Sequence, residues 1–384
     1  MKRSVNPVIR RLGLSAALVL AFLGSALYGA VPASAQIGGA GVVFLKIEPD
    51  SRAAGMGNAG VALADNASAM FWNPAGLGFQ TGTEAGITHS NWLPEFTSDL
   101  FYEHLVAKHH VNNWGTFGAH LTFLNLGSHE GRDHNNISTG TFKSYDLAMG
   151  VSYGVKVSSR FSVGTSLRFI YSNLAPGQTV DFQPTKAGVS TAVDIAGLYR
   201  SRPIMLGSVP TTVSAGFNLA NMGPKIRYSD SDNADPIPTN LRFGTALTFD
   251  FDEYNALNLV LDFNKDLIDV DSTGSAPFYK AIFSSWRGLD VNLNTSDPTD
   301  IERVGVLRQI TIGTGMEYWY DRLLALRFGY FYEDPYNGNR EFLTLGAGIR
   351  YNIIGVDFSY IYALEEGSPL ANTMRFSLLV NFAG

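Results

Sequence analysis

The chain contains no cysteine among its 384 residues. That absence excludes disulfides, thiolate metal sites and a lipid anchor at a leader cleavage site. Long apolar runs are also missing. Past residue 35, none approaches the ~18 residues that a membrane-spanning helix needs. Charge is sparse, with 16% Asp, Glu, Lys and Arg, and it leans acidic. The formal net charge of −6 falls to −10 once Lys2, Arg3, Arg10 and Arg11 leave with the leader described below. An acidic chain repels phosphate, which makes nucleic acid a poor partner. No Ser-His-Asp set, P-loop or dinucleotide fingerprint is present, so nothing points to an enzyme or to a cofactor.

Residues 1–35 read as a cleavable secretory leader. Lys2, Arg3, Arg10 and Arg11 form its basic start, Leu12 to Tyr28 supply the apolar core, and Ala33-Ser34-Ala35 is an A-x-A site. The remainder is rich in turns and rings, with 40 Gly, 12% aromatic residues and a mean hydropathy of +0.03. That balance fits strands and fits a helical membrane protein badly.

Strand periodicity is the strongest signal. Met374, Phe376, Leu378, Val380 and Phe382 alternate with Arg375, Ser377 and Asn381, and in a strand these sets point to opposite faces. The pattern returns in 145–155, 161–171, 324–332 and 354–362. Strands of about 10 residues suit a tilted membrane crossing. Tyr145, Tyr153, Tyr171, Tyr330, Tyr332, Tyr360, Tyr362 and Trp319 sit at strand ends, as interfacial girdles do. Fourteen candidate strands, from 84–90 to 372–382, are joined by alternating connections. Short ones fall at 158–159, 250–253, 320–321 and 352–353, and long ones at 126–143, 172–186, 221–239 and 265–306. The link 200–210 is longer than its side requires. The expectation is an all-β fold, a transmembrane antiparallel β-barrel of about 14 strands in outer-membrane lipid, with both termini periplasmic. Phe376, Leu378, Val380 and Phe382 look like the terminal-strand signal read by the barrel assembly machinery.

The run 44–79 breaks this pattern. Gly55, Gly57, Gly60, Gly76 and Gly78 with Asn73-Pro74 forbid one regular helix or strand. Yet Met56, Val61, Leu63, Met70, Phe71, Trp72 and Leu77 need cover. Such a segment ahead of a barrel must pack inside or across it, which divides the chain into a leader (1–35), a hatch or plug (36–83) and a barrel (84–384). The strings Ser51-Arg52-Ala53-Ala54-Gly55-Met56-Gly57 and Asp65-Asn66-Ala67-Ser68, with Asn73-Pro74-Ala75, resemble the PorV/PorQ family within the wider FadL-like outer-membrane barrels. The resemblance implies a hatch motif of Arg52, Gly55, Gly57, Asn66, Asn73, Pro74 and Ala75 held in the lumen. It also implies a PorV-like part in type IX secretion, in which cargo is received through its C-terminal domain and presented to other secretion components. The alternative is a FadL-like channel for small hydrophobic compounds gated by the same hatch.

Other constellations read more plainly. All seven His lie between His89 and His134. The run His129-Glu130-Gly131-Arg132-Asp133-His134 lacks the i, i+4 spacing of a zincin and reads as a polar extracellular loop, so no metal site is expected. The run 229–235 lacks the glycine and closing glutamate of a calcium loop. Phe278, Ile282, Phe283 and Trp286 approximate one helical face, either a lid on the mouth or a docking patch for a partner. Arg168, Arg327, Asp357 and Arg375 fall on the lumen phase, where charges pair and hold the interior together.

Overall fold

The two-residue period sorts side chains onto two faces, and closure of the sheet puts the apolar face outside. The computed structural model describes residues 39–132, 137–180, 183–230, 234–271, 274–292 and 301–382. The leader, Asp133, His134 and the centre of the 229–235 run lie outside the described residues.

The strands are β1 (Thr83–Asn91), β2 (Phe101–Val111), β3 (Gly115–Arg132), β4 (Ser138–Lys156), β5 (Phe161–Asn173), β6 (Gly188–Arg200) and β7 (Val209–Met222). They continue as β8 (Asn240–Asp250), β9 (Asn255–Asp266), β10 (Ile310–Tyr320), β11 (Leu324–Tyr332), β12 (Glu341–Tyr351), β13 (Ile354–Ala363) and β14 (Met374–Phe382). Each pairs with its sequence neighbour, and β14 pairs with β1, His89 lying opposite Phe376. Closure removes every edge, the condition for a sheet in lipid.

Short turns gather at one end. Asp321 and Arg322 both take positive φ (53° and 52°), the geometry that matches a two-residue turn to strand twist. Between β8 and β9 the Asp252 carboxylate accepts from the Tyr254 and Asn255 amides at 2.9 and 2.8 Å. The Asn255 side-chain hydrogen bond, together with these amides, holds the Asp252 carboxyl below its usual range. The extra length of 200–210 is spent on a small hairpin, Ile204–Leu206 folding back on Val209 to Thr211.

Two long connections carry more structure than the sequence reading gave them. In the stretch 126–143, the described residues up to Arg132 and from Ser138 are strand. β3 and β4 run on past the barrel wall as a ribbon, with His129 opposite Phe142, so His129 to Arg132 are strand residues. A register shift between Asn125 and Ser128, around Gly127 at φ 81°, re-aims the ribbon without ending its pairing. The stretch 265–306 holds two short hairpins and the helix Phe278–Ser284.

Outward positions such as Leu167, Leu326, Val356 and Phe376 are exposed, while Arg168, Glu317, Arg327, Asp357 and Arg375 are buried inside. A soluble sheet would reverse the two sets. Phe101, Phe123, Tyr145 and Tyr171 form an outward ladder near the long-loop end, with ring centroids 6.1, 5.8 and 6.0 Å apart. Trp319 does not belong to a girdle. Tyr318 and Tyr320 take the outward phase of β10, which leaves Trp319 facing the lumen near the Arg350 guanidinium, 5.5 Å from its ring. The lipid assignment has a direct check. Leu167→Arg, near the middle of β5, is expected to cost about 2–4 kcal/mol of bilayer-measured unfolding stability. An unchanged stability would contradict the assignment.

Candidate functional site: a segment threaded through the lumen

The chain ahead of β1 begins at the long-loop end. The Gly41 amide donates to the Pro236 carbonyl at 3.0 Å, and Phe44 and Leu45 pack among Tyr102, Leu124, Ile170, Ile226 and Ile237. β1 starts, and β14 ends, at the short-turn end. The expectation of a periplasmic N-terminus therefore fails for the first described residues, because the segment runs the length of the lumen before β1 begins.

Local signals set its path. Asp50 caps the short helix Ser51–Ala54, Oδ1 accepting from the Ala53 amide at 2.9 Å, and Oδ2 accepts from Trp72 Nε1 at 2.5 Å. One side chain thus starts one helix and holds the end of the next, Ala69–Trp72. Asn73 Oδ1 accepts from the Ala75 amide at 3.1 Å and opens the 3-10 turn Pro74–Phe79, where proline's fixed φ and missing N–H suit the first position. Asn73 Nδ2 donates to the Val61 and Gly197 carbonyls at 3.0 and 3.2 Å. Asn66 Oδ1 accepts from the Ser68 amide, and its carbonyl accepts from Gln80. Arg52, Gly55, Gly57, Asn66, Asn73, Pro74 and Ala75 therefore meet in one buried segment.

Inward side chains from around the ring hold that segment by its backbone. Glu84 of β1 accepts from the Ala67 amide at 2.6 Å. Ser162 of β5 donates to the Ala75 carbonyl at 2.7 Å, and Asn218 of β7 to the Trp72 carbonyl at 3.2 Å. Asp262 of β9 accepts from the Gly60 and Val61 amides at 2.7 and 2.9 Å. Thr344 of β12 accepts from the Gly57 amide at 2.9 Å. The Arg242 guanidinium lies 4.3 Å from the Phe71 ring, close enough for a cation–π contact.

The strongest tie is ionic. Arg52 Nε and Nη2 donate to Glu317 Oε2 and Oε1, both at 2.7 Å. Arg327 Nε reaches Glu317 at 2.7 Å and its Nη1 reaches Asp357 at 2.8 Å, while Arg350 Nη2 reaches Asp357 at 2.6 Å. Asp65 adds a second acceptor for Arg52. Three guanidinium groups and three carboxylates join the segment to β10, β11, β12 and β13. The sequence reading assigned Arg327 and Asp357 to the lumen but missed Glu317. Its signal was the alternation Gly315, Glu317, Trp319, a polar phase against Met316, Tyr318 and Tyr320.

Glycines on the inward face make the room, and the sequence reading missed these too. A Cβ on Gly329 would stand 2.0 Å from the Gly57 nitrogen, and one on Gly164 would stand 2.3 Å from the Ala75 nitrogen. Side chains there would occupy the space that the segment's backbone fills.

Two cavities end on the segment. One of about 960 Å³ opens at the long-loop end, lined by Val42, Phe44, Ile47, Trp92, Leu124, Leu126 and Tyr228 among others. Burial pushes the Tyr228 hydroxyl up to about 12. The other, about 600 Å³, lies at the short-turn end and is lined by Arg52, Asp65, Asn66, Arg200, Trp319 and Arg350 among others.

The remaining predicted residues lie elsewhere. Phe278 and Ile282 are half-buried where the helix Phe278–Ser284 rests on Ala281 and Ser285. Phe283 points away from that face at 79% exposed, beside exposed Tyr279, and Trp286 Nε1 donates to the Ile282 carbonyl at 2.9 Å. Phe376, Leu378, Val380 and Phe382 lie on the outward phase of β14.

The family model described as type IX secretion system protein PorV matches residues 33–273. No curated protein matches the chain. Among solved structures it is similar to the Ralstonia pickettii toluene transporter TbuX, at 14% identity and TM-score 0.48, over 88% of this chain and 99% of that one. It is similar to the Pseudomonas putida toluene transporter TodX, at 14% and 0.47 over 91% and 98%, and to a Pseudomonas aeruginosa FadL homologue, at 13% and 0.44 over 87% and 98%. The family match spans more than half of the chain, and this closed fourteen-stranded barrel belongs to the PorV family of type IX secretion system proteins.

Proposed function

We propose that this outer-membrane barrel receives or presents type IX cargo at the cell surface as a docking component, with residues 36–83 acting as a hatch that keeps the lumen shut. The observation that supports this reading best is the filled lumen. A segment hydrogen-bonded to strands all around the ring, with a six-charge cluster at its centre, leaves no open bore for a folded protein. Cargo would then be met on the long-loop face, where Tyr279, Phe283 and Trp286 stand exposed beside an otherwise acidic connection, the residue types that anchor interfaces. The cargo's C-terminal domain is the natural contact, with other secretion components as later partners. The outward phase of β14 is the part offered to the barrel assembly machinery.

The second reading is a channel for small hydrophobic compounds, and the Phe44, Trp92, Leu124 and Leu126 side chains that line part of the outer cavity, beside charged residues such as Glu48, Asp266 and Arg340, favour it. Substituting Phe283 and Trp286 together by alanine separates the two. Docking predicts cargo that fails to mature or attach at the surface, by about tenfold or more for the loss of two aromatic anchors, with uptake of hydrophobic solutes unchanged. Normal cargo display with reduced uptake would replace docking by the channel.

A further inference from the structure

The outer cavity carries more carboxylate than its own cations answer. Glu48, Asp146, Asp235, Asp266 and Glu333 line it, against Lys46 and Arg340. Three of the five are matched. Lys46 pairs with Asp266 and Arg340 with Glu333, both at 2.5 Å, and Glu48 lies 4.0 Å from the buried Arg375 guanidinium. Asp146 and Asp235 form no ion pair among the described residues. Asp146 is the more telling of the two. β4 turns it inward, level with Leu124 of β3 and Ser172 of β5, and it is 5% exposed. Oδ1 accepts from the Ser172 hydroxyl at 2.5 Å, and that hydroxyl accepts from Tyr228 at 2.9 Å. Oδ2 accepts from no described group, and the side chain borders the cavity. A carboxylate fixed in place, taken out of water and given no cation is costly until one arrives. Burial pushes the Tyr228 hydroxyl up, the Ser172 hydrogen bond works against this, and the charges of Asp146 and Asp235 add to it. Both carboxylates therefore lie near one ring.

We infer that the outer cavity binds a small organic cation, a primary ammonium on an aromatic or alkyl body. The ammonium is held by the Asp146 and Asp235 carboxylates beside the Tyr228 ring, and its body lies along Phe44, Trp92 and Leu124. Each part of that ligand is selected by something in the wall. Two carboxylates without cations repel an anion and accept from the N–H donors of an ammonium. Aromatic faces attract a cation. A volume of about 960 Å³ suits a small molecule. Lys46 and Arg340 do not compete for the two free carboxylates, since each already has its own. Binding here needs neither cargo nor passage through the filled lumen, so it stands apart from docking and from transport.

Calorimetric titration of the mature chain in nanodiscs tests this with three probes of similar size: phenethylammonium, 2-phenylethanol and 3-phenylpropanoate. The ammonium is expected to bind at least tenfold more tightly than the alcohol, and the carboxylate more weakly than either. D146N keeps an acceptor for Ser172 and removes the charge. It should weaken the ammonium about tenfold or more, the effect of losing one charge-assisted hydrogen bond, and leave the alcohol unchanged. D235N, at an exposed position, should act in the same direction, and it carries the test if D146N fails to assemble, which heat-modifiable gel mobility reports. D252N, at the short-turn end, should bind like the parent. Three results would each overturn the inference: ammonium and alcohol bound alike, carboxylate bound more tightly than ammonium, or an ammonium affinity unmoved in whichever of D146N and D235N assembles.

Discussion

Glu317→Ala is expected to destabilise the folded barrel by about 3–5 kcal/mol, because it leaves the buried cluster with three guanidinium groups and only two carboxylates. Arg52 and Arg327 both direct charge-assisted bonds at this carboxylate, each within 2.7 Å, and Glu317 and Arg327 are fully buried. Arg327 already has one nitrogen, Nη2, with no hydrogen-bond partner, so losing Glu317 leaves it to Asp357 alone. Urea unfolding in detergent micelles, followed by tryptophan fluorescence, measures the loss. Arg52→Ala in the same background provides the control. If the cluster works as a unit, removing Arg52 after Glu317 should cost much less than removing it from the parent, since its partner has already gone. A Glu317→Ala protein within about 0.5 kcal/mol of the parent, the range of an ordinary surface change, would mean that the cluster does not hold the segment.

Gly329→Val is expected to expel part of the segment outright. Its Cβ would fall 2.0 Å from the Gly57 nitrogen and 2.2 Å from the Met56 carbonyl carbon. Both neighbours are backbone, so no side chain can swing aside. Gly57 has no freedom to retreat, since it is in the left-handed region at φ 67° with its amide bonded to Thr344. The segment has to move as a unit or the barrel has to widen. Trypsin reads the outcome, because the peptide bond after Arg52 is shielded in the parent. Cleavage there should accelerate at least tenfold in Gly329→Val, an opening made easier by about 1.4 kcal/mol or more. Gly305→Val, whose Cβ would meet open space, should digest like the parent. Equal protection of Arg52 in both variants would show that the glycine face is not what admits the segment.

The barrel was legible because lipid imposes a rule that sequence obeys residue by residue. In β14 and β11 one phase had to be apolar along the whole crossing, and it is. The segment 44–79 was legible for the opposite reason, since Gly57 and Pro74 forbid a regular crossing while Met70 and Trp72 demand burial. Its partners were not legible. Glu317 and Arg52 are separated by 265 positions, and nothing local marks either as the other's ion. Trp319 misled because an aromatic at a strand end has two faces open to it, and only the phase of Tyr318 and Tyr320 decides between them. The ribbon beyond β3 escaped notice because, outside lipid, pairing persists without an apolar phase to announce it. The helix at Phe278 was legible as a helix, but which face it buries depends on what Ala281 rests against, and four aromatic or aliphatic residues do not say.

Planar-bilayer conductance tests the closed lumen most directly. The intact chain should give no stable open level, and a variant lacking residues 44–79, with barrel assembly verified by heat-modifiable mobility, should give long-lived conducting steps. Identical conductance in the two proteins would contradict the account.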